Sequence, residues 1–221
     1  MKTWALIPVK TLKDSKSRLA RILTEKERAD LTRHLLVHLL DVIEKVPAID
    51  IALVVSSDME VLELAQERGA LIMSEKRQNG LNGALCQAMQ YAHDHYCESI
   101  LVLPCDLPFV KEDDIELILT MMETVQALET DDGSAPELRV MIISPDQSGK
   151  GTNALFLCPT SSFNFHFGPQ SFKLHLSEAS RQGMTSRIVN PPGLTFDLDT
   201  EEDWISYQAT IQAHSEGEAS G

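Results

Sequence analysis

Two acidic motifs are the residues best placed to do chemistry. Asp106 ends the apolar run Ile-Leu-Val-Leu-Pro-Cys, and Asp197-Leu-Asp199 lies near the other end of the chain. Ligands of open α/β sheets bind at the carboxyl ends of strands, so both motifs are expected at one edge of a sheet. Carboxylate oxygens are the ligands that Mg²⁺ prefers. The motifs therefore predict a magnesium site formed by Asp106, Asp197 and Asp199, the last two pointing the same way from a strand.

Both motifs also allow a structural interpretation. Asp is common in turns, so Asp106 could brace the turn that follows its strand. Asp199 or Thr200 could cap the next helix through Asp203. The capping and metal-binding interpretations of Asp199 do not exclude each other.

A basic loop follows the first apolar run. Residues 1–28 carry eight basic and three acidic side chains in a chain with a net charge of −14. Lys10, Lys13, Lys16 and Arg18 fall in the stretch that leads into a helix, where backbone N–H groups favour anions. This pattern suits a nucleotide triphosphate, and the alternative is a solvated, charged helix start. The loop lacks the glycines of a P-loop kinase or of a dinucleotide-binding enzyme.

Three further loops combine glycine with polar side chains. In Gly80-Leu81-Asn82 the glycine allows close approach to a flat base and Asn82 both donates and accepts, although Asn82 could instead cap a helix. Thr152 and Asn153 follow a second pair of glycines. In the third loop Ser171 lies just after Gly168, near a predicted helix start that suits a phosphate monoester.

The elements that must position these loops alternate between short apolar runs and helical stretches. This alternation predicts the α/β class, as a single-domain three-layer sandwich with a mostly parallel mixed sheet. A capping box at Thr24-Glu-Lys-Glu27 predicts the start of a long helix. The predicted strands are Trp4–Val9, Ile51–Ser56, Ala70–Met73, Ile100–Leu103, Val140–Ile143, Ala154–Cys158, Ser186–Val189 and Thr195–Leu198. The other predicted helices are Met59–Arg68, Asn82–His95, Glu112–Leu128, Ser171–Gln182 and Glu201–Ala213.

Composition limits the partners and the compartment. The strong negative charge argues against nucleic acid, because binding it depends on neutralising phosphates. No apolar run approaches the roughly 20 residues of a membrane span, and the first residues are too short for a signal peptide. The four cysteines are scattered, which predicts reduced thiols and a cytoplasmic protein. Residues 1–213 are expected to form the folded domain and 214–221 a disordered tail.

Six motifs in order resemble one family, over about residues 3–207. The sequence is similar to the 2-phospho-L-lactate guanylyltransferases, which make a precursor of the deazaflavin coenzyme F(420). The resemblance implies a nucleotidyltransferase fold, GT-A-like and Rossmann-like, shared with molybdenum cofactor guanylyltransferases. The Lys-rich, glycine-free first loop fits the phospholactate branch. The motifs are Pro8-Val9-Lys10 with Lys16-Ser-Arg18, Gly80-Leu81-Asn82, Asp106-Leu-Pro, Gly-Thr152-Asn153, Phe-Gly168-Pro-x-Ser171, and Asp197-x-Asp199.

The resemblance also implies residue roles. Asp106, Asp197 and Asp199 would bind Mg²⁺, and Lys16, Arg18 and Asp106 would be catalytic. The acceptor phosphate would be held by Thr152, Asn153, Gly168 and Ser171. The nucleotide would be bound by Pro8, Val9, Lys10, Lys16, Arg18, Gly80, Leu81, Asn82 and Asp106.

The implied reaction transfers GMP from GTP to the phosphate of 2-phospho-L-lactate. It gives lactyl-2-diphospho-5'-guanosine and pyrophosphate. Phosphoenolpyruvate and 3-phosphoglycerate stay open as alternative acceptors, and a non-catalytic nucleotide-binding module is a further alternative. His166 or His175 could contact the acceptor carboxylate or simply pack on a helix. The pathway enzyme that takes the labile product is a candidate partner, and a homodimer is left open.

Overall fold

The structure is a computed structural model, and it describes residues 1–75, 80–129, 138–160 and 162–218. Within these ranges the strands are β1 Thr3–Pro8, β2 Ile51–Ser56, β3 Leu71–Ser74, β4 Ser99–Val102, β5 Val140–Pro145, β6 Thr152–Cys158 and β7 Thr185–Ile188. The α-helices are α1 Glu25–Glu44, α2 Met59–Glu67, α3 Gly80–Asp94, α4 Glu112–Glu129, α5 Ser171–Arg181, α6 Pro192–Thr195 and α7 Glu201–Glu218. A 3-10 turn spans Ser17–Leu19.

The strands form one sheet in the order β3-β2-β1-β4-β6-β5-β7. Strand β6 runs antiparallel to β4 and β5, and the other neighbouring strands are parallel. The carboxyl ends of the parallel strands therefore share one edge with the first residue of β6. The predicted α/β class with a mostly parallel mixed sheet is confirmed.

Side chains that alternate along the strands fill two cores. In β1, Ala5 and Ile7 face the core that contains residues of α1, α2 and α4. Trp4 and Leu6 face the opposite core, where α3 and α5 pack. The sheet thus lies between two helix layers, as the three-layer prediction requires. None of the helices in the described ranges is long and apolar enough to cross a membrane.

A third, smaller core links the segments that carry the candidate site. Leu19 of the 3-10 turn packs with Leu31 and Leu35 of α1, with Leu198, and with Tyr207 of α7. Leu19 and Leu198 are completely buried. Since these two residues adjoin Arg18 and Asp199, the apolar contact fixes where the basic loop meets the second acidic motif.

The predicted strand Thr195–Leu198 is wrong. Residues Pro192–Thr195 form α6, and the chain then continues without joining the sheet. Pro192 stands at the start of the helical turn, where its fixed φ is favourable. The Gly193 N–H donates to Asp114 Oδ1 at 3.1 Å. A Cβ at Gly193 would collide with that carboxylate, so the close approach requires glycine.

Two helix starts use the same capping box. Thr24 and Glu27 cap α1 as predicted. At α7 the Asp203 carboxylate accepts from the Thr200 N–H at 2.7 Å, and the Asp203 N–H donates to the Thr200 hydroxyl at 3.2 Å. Helix α7 extends to Glu218, into the segment 214–221 that was expected to be a tail, and residues 219–221 lie outside the described part of the chain.

Candidate active site

The basic loop after β1 is tied down by hydrogen bonds. The Leu12 N–H donates to Asp58 Oδ2 at 2.9 Å, which joins the loop to the end of β2. The Ser15 hydroxyl donates to the Leu12 carbonyl at 2.7 Å and accepts from the Thr32 hydroxyl at 2.9 Å. No local sequence pattern indicates that Asp58 or Thr32 would hold this loop. A loop held in this way loses little conformational freedom when an anion binds.

Lys16 projects from this loop between two carboxylates. Its backbone is left-handed, with φ 48° and ψ 37°, a conformation uncommon for a residue other than glycine. Its Nζ lies 3.3 Å from Asp106 Oδ2 and 3.3 Å from Asp199 Oδ1, and its side chain is only 6% exposed. Burial lowers the pKa of Lys16, but the Asp106 and Asp199 charges outweigh it and the pKa is raised. Lys16 therefore stays an ammonium ion.

Backbone contacts hold the two acidic motifs together. The Leu198 N–H donates to the Asp106 carbonyl at 3.0 Å. Beside this contact, the buried Asp114 carboxylate accepts from the Lys111 N–H at 2.9 Å and from the Gly193 N–H at 3.1 Å. Asp114 thus joins the loop that follows Asp106 to α6, which precedes the second acidic motif. This bridge could not be predicted from the sequence, because an Asp in the first turn of a helix is common and does not indicate a distant contact.

Asp199 takes part in both the start of α7 and the charged cluster. Its backbone N–H donates to Asp203 Oδ2 at 3.1 Å, at the start of α7. Its carboxylate reaches Lys16, and Arg18 Nη1 lies 3.6 Å from its Oδ2. Arg18 is otherwise 73% exposed, so most of its guanidinium is open to a ligand. Thr200 and Asp203 cap the helix, while the Asp199 side chain belongs to the charged cluster.

Asp197 reaches the same cluster from an irregular segment rather than from a strand. The alternation argument for Asp197 and Asp199 is therefore wrong, although the two carboxylates do converge near Asp106. The Asn153 amide donates to Asp197 Oδ1 at 3.3 Å. Burial, with the Asp106 charge next, raises the pKa of Asp197 to about 6, and Asp199 adds to this rise. Negative charge exceeds positive charge at this point.

The donor set fits a hard divalent cation. Asp106, Asp197 and Asp199 supply only carboxylate oxygens, and the raised pKa of Asp197 marks negative charge that Lys16 alone does not balance. In the part of the chain that the structure describes, no three acidic, His or Cys side chains are arranged as a ready-made metal site. The Lys16 ammonium lies between two of the three carboxylates. Magnesium binding at these residues stays a prediction.

A β-bulge at the start of β6 separates two neighbouring side chains. Ser144 of β5 pairs with Ala154, but Pro145 pairs with Thr152, so Asn153 is the extra residue. Bulges re-aim side chains beside functional sites. Here Asn153 hydrogen-bonds to Asp197, while Thr152 bonds to residues of α5 on the other side. Asn153 therefore contacts the acidic cluster, while its neighbour Thr152 contacts the helix that follows the third glycine loop.

A chain of hydrogen bonds forms the second half of the site. The Ser171 hydroxyl donates to Thr152 Oγ1 at 3.1 Å. His175 Nδ1 lies 3.0 Å from the same Thr152 oxygen, and its Nε2 accepts from the His166 N–H at 2.9 Å. Gly168 has φ 130°, and α5 starts at Ser171 as predicted. The structure thus brings Thr152, Ser171 and His175 together, whereas Asn153 faces the acidic cluster.

Asn82 joins the second glycine loop to the third. Helix α3 begins at Gly80, so Asn82 lies inside its first turn and the capping alternative is wrong. The Asn82 amide donates to the Phe167 carbonyl at 3.0 Å, and its carbonyl accepts from the Phe167 N–H at 2.7 Å. Both faces of the carboxamide are therefore used by the loop beside Gly168. Asn82 holds two parts of the site together in this conformation.

The remaining predicted residues lie along the same edge. The Val9 N–H donates to the Val55 carbonyl at 2.9 Å, which extends the pairing of β1 beyond Pro8. Lys10 is exposed, and Leu81 is half-buried at the start of α3. Burial, with the Asp106 charge next, raises the pKa of the Cys105 thiol to about 12. Cys105 is therefore a neutral thiol and not a nucleophile.

Two curated relatives match nearly the whole chain. The phosphoenolpyruvate guanylyltransferase of Rubrobacter xylanophilus is 37% identical over 95% of both chains. The 2-phospho-L-lactate guanylyltransferase of Methanothermobacter thermautotrophicus is 32% identical over 98% of this chain and 87% of its own.

Solved structures show the same fold at low identity. A putative nucleotide-diphospho-sugar transferase from Desulfovibrio desulfuricans has a TM-score of 0.67 at 16% identity, over 90% of this chain and 84% of its own. A nucleotidyl transferase from Methanothermobacter has a TM-score of 0.62 at 12% identity, and the match covers 96% of this chain and 99% of its own. Residues 3–220 match the family described as "Guanylyl transferase CofC like". The chain belongs to the CofC-like guanylyl transferase family of nucleotidyltransferases.

Proposed function

We propose that this protein transfers GMP from GTP to the phosphate of 2-phospho-L-lactate. The products are lactyl-2-diphospho-5'-guanosine and pyrophosphate, in the biosynthesis of coenzyme F(420). The observation that carries the proposal is the β-bulge at Asn153. It sets an acidic cluster with Lys16 on one side and the hydroxyls of Thr152 and Ser171 on the other. Such an arrangement would hold one phosphorylated reactant through a cation at the acidic cluster and the other through the adjacent hydroxyls.

The acceptor phosphate needs little activation. The second pKa of comparable phosphate monoesters is about 6, so the acceptor is largely dianionic at neutral pH. The neutral thiol of Cys105 and the absence of a nucleophile–base pair from the predicted site residues agree with direct attack on the α-phosphorus. What the protein must supply is alignment and charge neutralisation.

The charged residues supply that neutralisation. Lys16 is fixed as an ammonium ion, and the exposed Arg18 guanidinium offers paired N–H donors to phosphate oxygens. Mg²⁺ held by Asp106, Asp197 and Asp199 would neutralise charge on the α-phosphate and on the leaving pyrophosphate. Thr152 and Ser171 would orient the acceptor by donating hydrogen bonds to its phosphate. Lys10, Gly80 and Leu81 stay predicted contacts of the nucleotide.

Phosphoenolpyruvate is the second candidate acceptor. The relative with 37% identity carries that activity in its name, and the two acids differ by two hydrogens. Small differences of this kind change binding only modestly. The 3-phosphoglycerate alternative has no such relative among those compared above. We further propose a cytoplasmic protein that passes its labile product to the next pathway enzyme.

Pyrophosphate release tests the proposal. Purified protein with Mg²⁺ and GTP is offered 2-phospho-L-lactate, phosphoenolpyruvate and 3-phosphoglycerate in separate reactions, each coupled to the next pathway enzyme. Turnover highest with 2-phospho-L-lactate is expected. A clear preference for another acid would reassign the acceptor. No turnover with any acid, despite measured GTP binding, would overturn the proposal.

A further inference from the structure

His175 is a completely buried titratable side chain that the proposed chemistry does not yet use. It lies in α5, one turn after Ser171, and is 0% exposed. Its ring contacts Phe167, with centroids 4.9 Å apart, and Phe163, with centroids 6.0 Å apart. The aromatic contacts hold the ring plane, so that both ring nitrogens have fixed partners. A wholly buried imidazole with two fixed partners has a defined proton position.

The His166 backbone determines which ring nitrogen carries the proton. A backbone N–H can only donate, and the His166 N–H lies 2.9 Å from His175 Nε2. Nε2 must therefore present its lone pair, which excludes both the imidazolium and the Nε2–H tautomer. The one ring proton is on Nδ1, which then donates to Thr152 Oγ1 at 3.0 Å. Burial, with the nearby His166 next, lowers the pKa of His175 to about 3, in agreement with a neutral ring.

The direction of this bond determines the direction of the Thr152 hydroxyl. Thr152 Oγ1 also accepts from the Ser171 hydroxyl at 3.1 Å. A hydroxyl has two acceptor positions and one proton, and here both acceptor positions are filled. The Thr152 proton is left to be donated to a third partner. With the other tautomer, Nδ1 would accept from Thr152 and consume that proton.

We propose that His175 is a positioning residue that keeps the Thr152 hydroxyl as a hydrogen-bond donor to the phosphate of the acceptor acid. A phosphate dianion accepts hydrogen bonds and donates none, so only a donating hydroxyl binds it. The inference rests on the proposed function in placing the acceptor phosphate at Thr152. It assigns His175 a role other than contact with the acceptor carboxylate or simple packing.

Two amide substitutions separate the two bonds of His175. The nitrogen of Asn stands as many bonds from Cβ as Nδ1 does, so His175→Asn keeps a donor towards Thr152. The carboxamide oxygen of Gln matches the position of Nε2, so His175→Gln keeps an acceptor for the His166 N–H and loses the donor. Loss of a hydrogen bond to a charged ligand weakens binding by about 10- to 100-fold. We expect that increase in acceptor KM for H175Q, partial recovery in H175N, and an unchanged KM for GTP.

A double substitution tests whether His175 acts through Thr152. Thr152→Val removes the hydroxyl and keeps the shape of the side chain. If His175 acts through that hydroxyl, H175Q raises the acceptor KM in the wild type but adds less than about twofold in the T152V background. An equal effect in both backgrounds, or wild-type acceptor KM in H175Q, would overturn the proposal. Thermal unfolding of each variant identifies those that fail to fold.

The tautomer itself is measured on the wild-type protein. With ¹⁵N-labelled histidine, the proposal requires a protonated Nδ1 and an unprotonated Nε2 for His175 at neutral pH. A protonated Nε2 would overturn it without reference to activity. Failure of the proposed function is distinguishable, because it appears as wild-type protein that turns over none of the acids. Failure of this inference appears as an active wild type with the wrong tautomer or an unaffected H175Q.

Discussion

Lys16 and Asp106 form an ion pair, with 3.3 Å between Nζ and Oδ2, that joins the basic loop to the end of β4. The same ammonium is 3.3 Å from Asp199. One buried cation therefore links the loop to both acidic motifs. A cation that enters between these carboxylates has to share them with Lys16 or displace it towards the nucleotide phosphates. In the proposed reaction, Lys16 would be the counter-ion of these carboxylates until a metal ion takes its place.

Removal of this ammonium should have a large effect on the reaction. We expect Lys16→Met to lower kcat/KM by about 100-fold or more, the usual cost of losing a fixed group that stabilises the transition state. Lys26→Met is the control, because Lys26 is an exposed lysine in the first turn of α1, outside the loop. Steady-state pyrophosphate release with varied GTP measures both. Equal rates for the two variants would contradict a specific role for Lys16.

The carboxylate of Asp106 should determine the metal requirement. Asp106→Asn keeps the shape of the side chain and removes one negative charge, so we expect turnover to fall by at least about 100-fold. The Mg²⁺ concentration for half-maximal rate should also rise. Mn²⁺ binding followed by electron paramagnetic resonance gives a readout besides activity. Glu116→Gln, at an exposed position of α4, is the control, and unchanged Mn²⁺ affinity in D106N would refute the metal role.

Asn82 should couple the two substrate sites. Asn82→Asp keeps an acceptor for the Phe167 N–H but loses the donor to the Phe167 carbonyl. We expect the KM values for GTP and for the acceptor to rise together, each by about tenfold, because a part-buried hydrogen bond is replaced by two acceptor oxygens that face each other. Gln87→Glu, exposed on the same helix, controls for the added charge. An increase in only one KM would show that Asn82 serves a single substrate.

His175 should make folding stability depend on pH. Its pKa is about 3 in the folded protein and about 6.5 when unfolded, so unfolding takes up a proton between these values. The stability from the neutral ring is complete above pH 6.5 and falls as the pH is lowered, by roughly 1.4 kcal/mol per pH unit inside the window. Asp197 has the opposite effect on stability. Its pKa is raised to about 6 in the folded protein, so its contribution to stability increases as the pH falls below about 6.

The comparison with a variant isolates the histidine. The free energies of unfolding of wild type and His175→Asn are measured in urea between pH 5 and 7. Only the wild type has a side chain that titrates at position 175, so a difference between the two pH profiles reports on the histidine. We expect the wild type to lose more stability than H175N as the pH falls. Parallel pH profiles would show that the ring is not held neutral in the native state.

Residue type and a strand-end position were enough to place Asp106 at the edge of the sheet, whereas Asp197 and Asp199 reach it from an irregular segment. Asp106 follows a buried run of apolar residues, and the parallel sheet brings such positions to one edge. The Thr24 capping box predicted the start of α1, because its signal is local in sequence. The segment Thr195–Leu198 misled because its polar and apolar residues alternate as in a strand, while Pro192 and the contact of Gly193 with Asp114 impose a helical turn.

The other half of the site could be predicted only in part. Ser171 was found through its helix start, and His175 lies one turn further on the same helix. Their common partner Thr152 is distant in sequence, and the bulge that turns it towards α5 depends on how β5 and β6 pair. The Asn82 contact with Phe167 likewise joins two loops whose relative placement no local pattern encodes.

The bulge at Asn153 also bears on how acceptor preference changes within such enzymes. Thr152 and Asn153 are neighbours on one strand, so the proposed anchor of the acceptor phosphate and the support of Asp197 are separated by a single peptide unit of about 3.8 Å. In the proposed reaction, the backbone itself would therefore set the spacing of the reacting phosphates. Substitutions in the loop around Gly168 would then exchange one phosphorylated acid for another at an unchanged reaction distance.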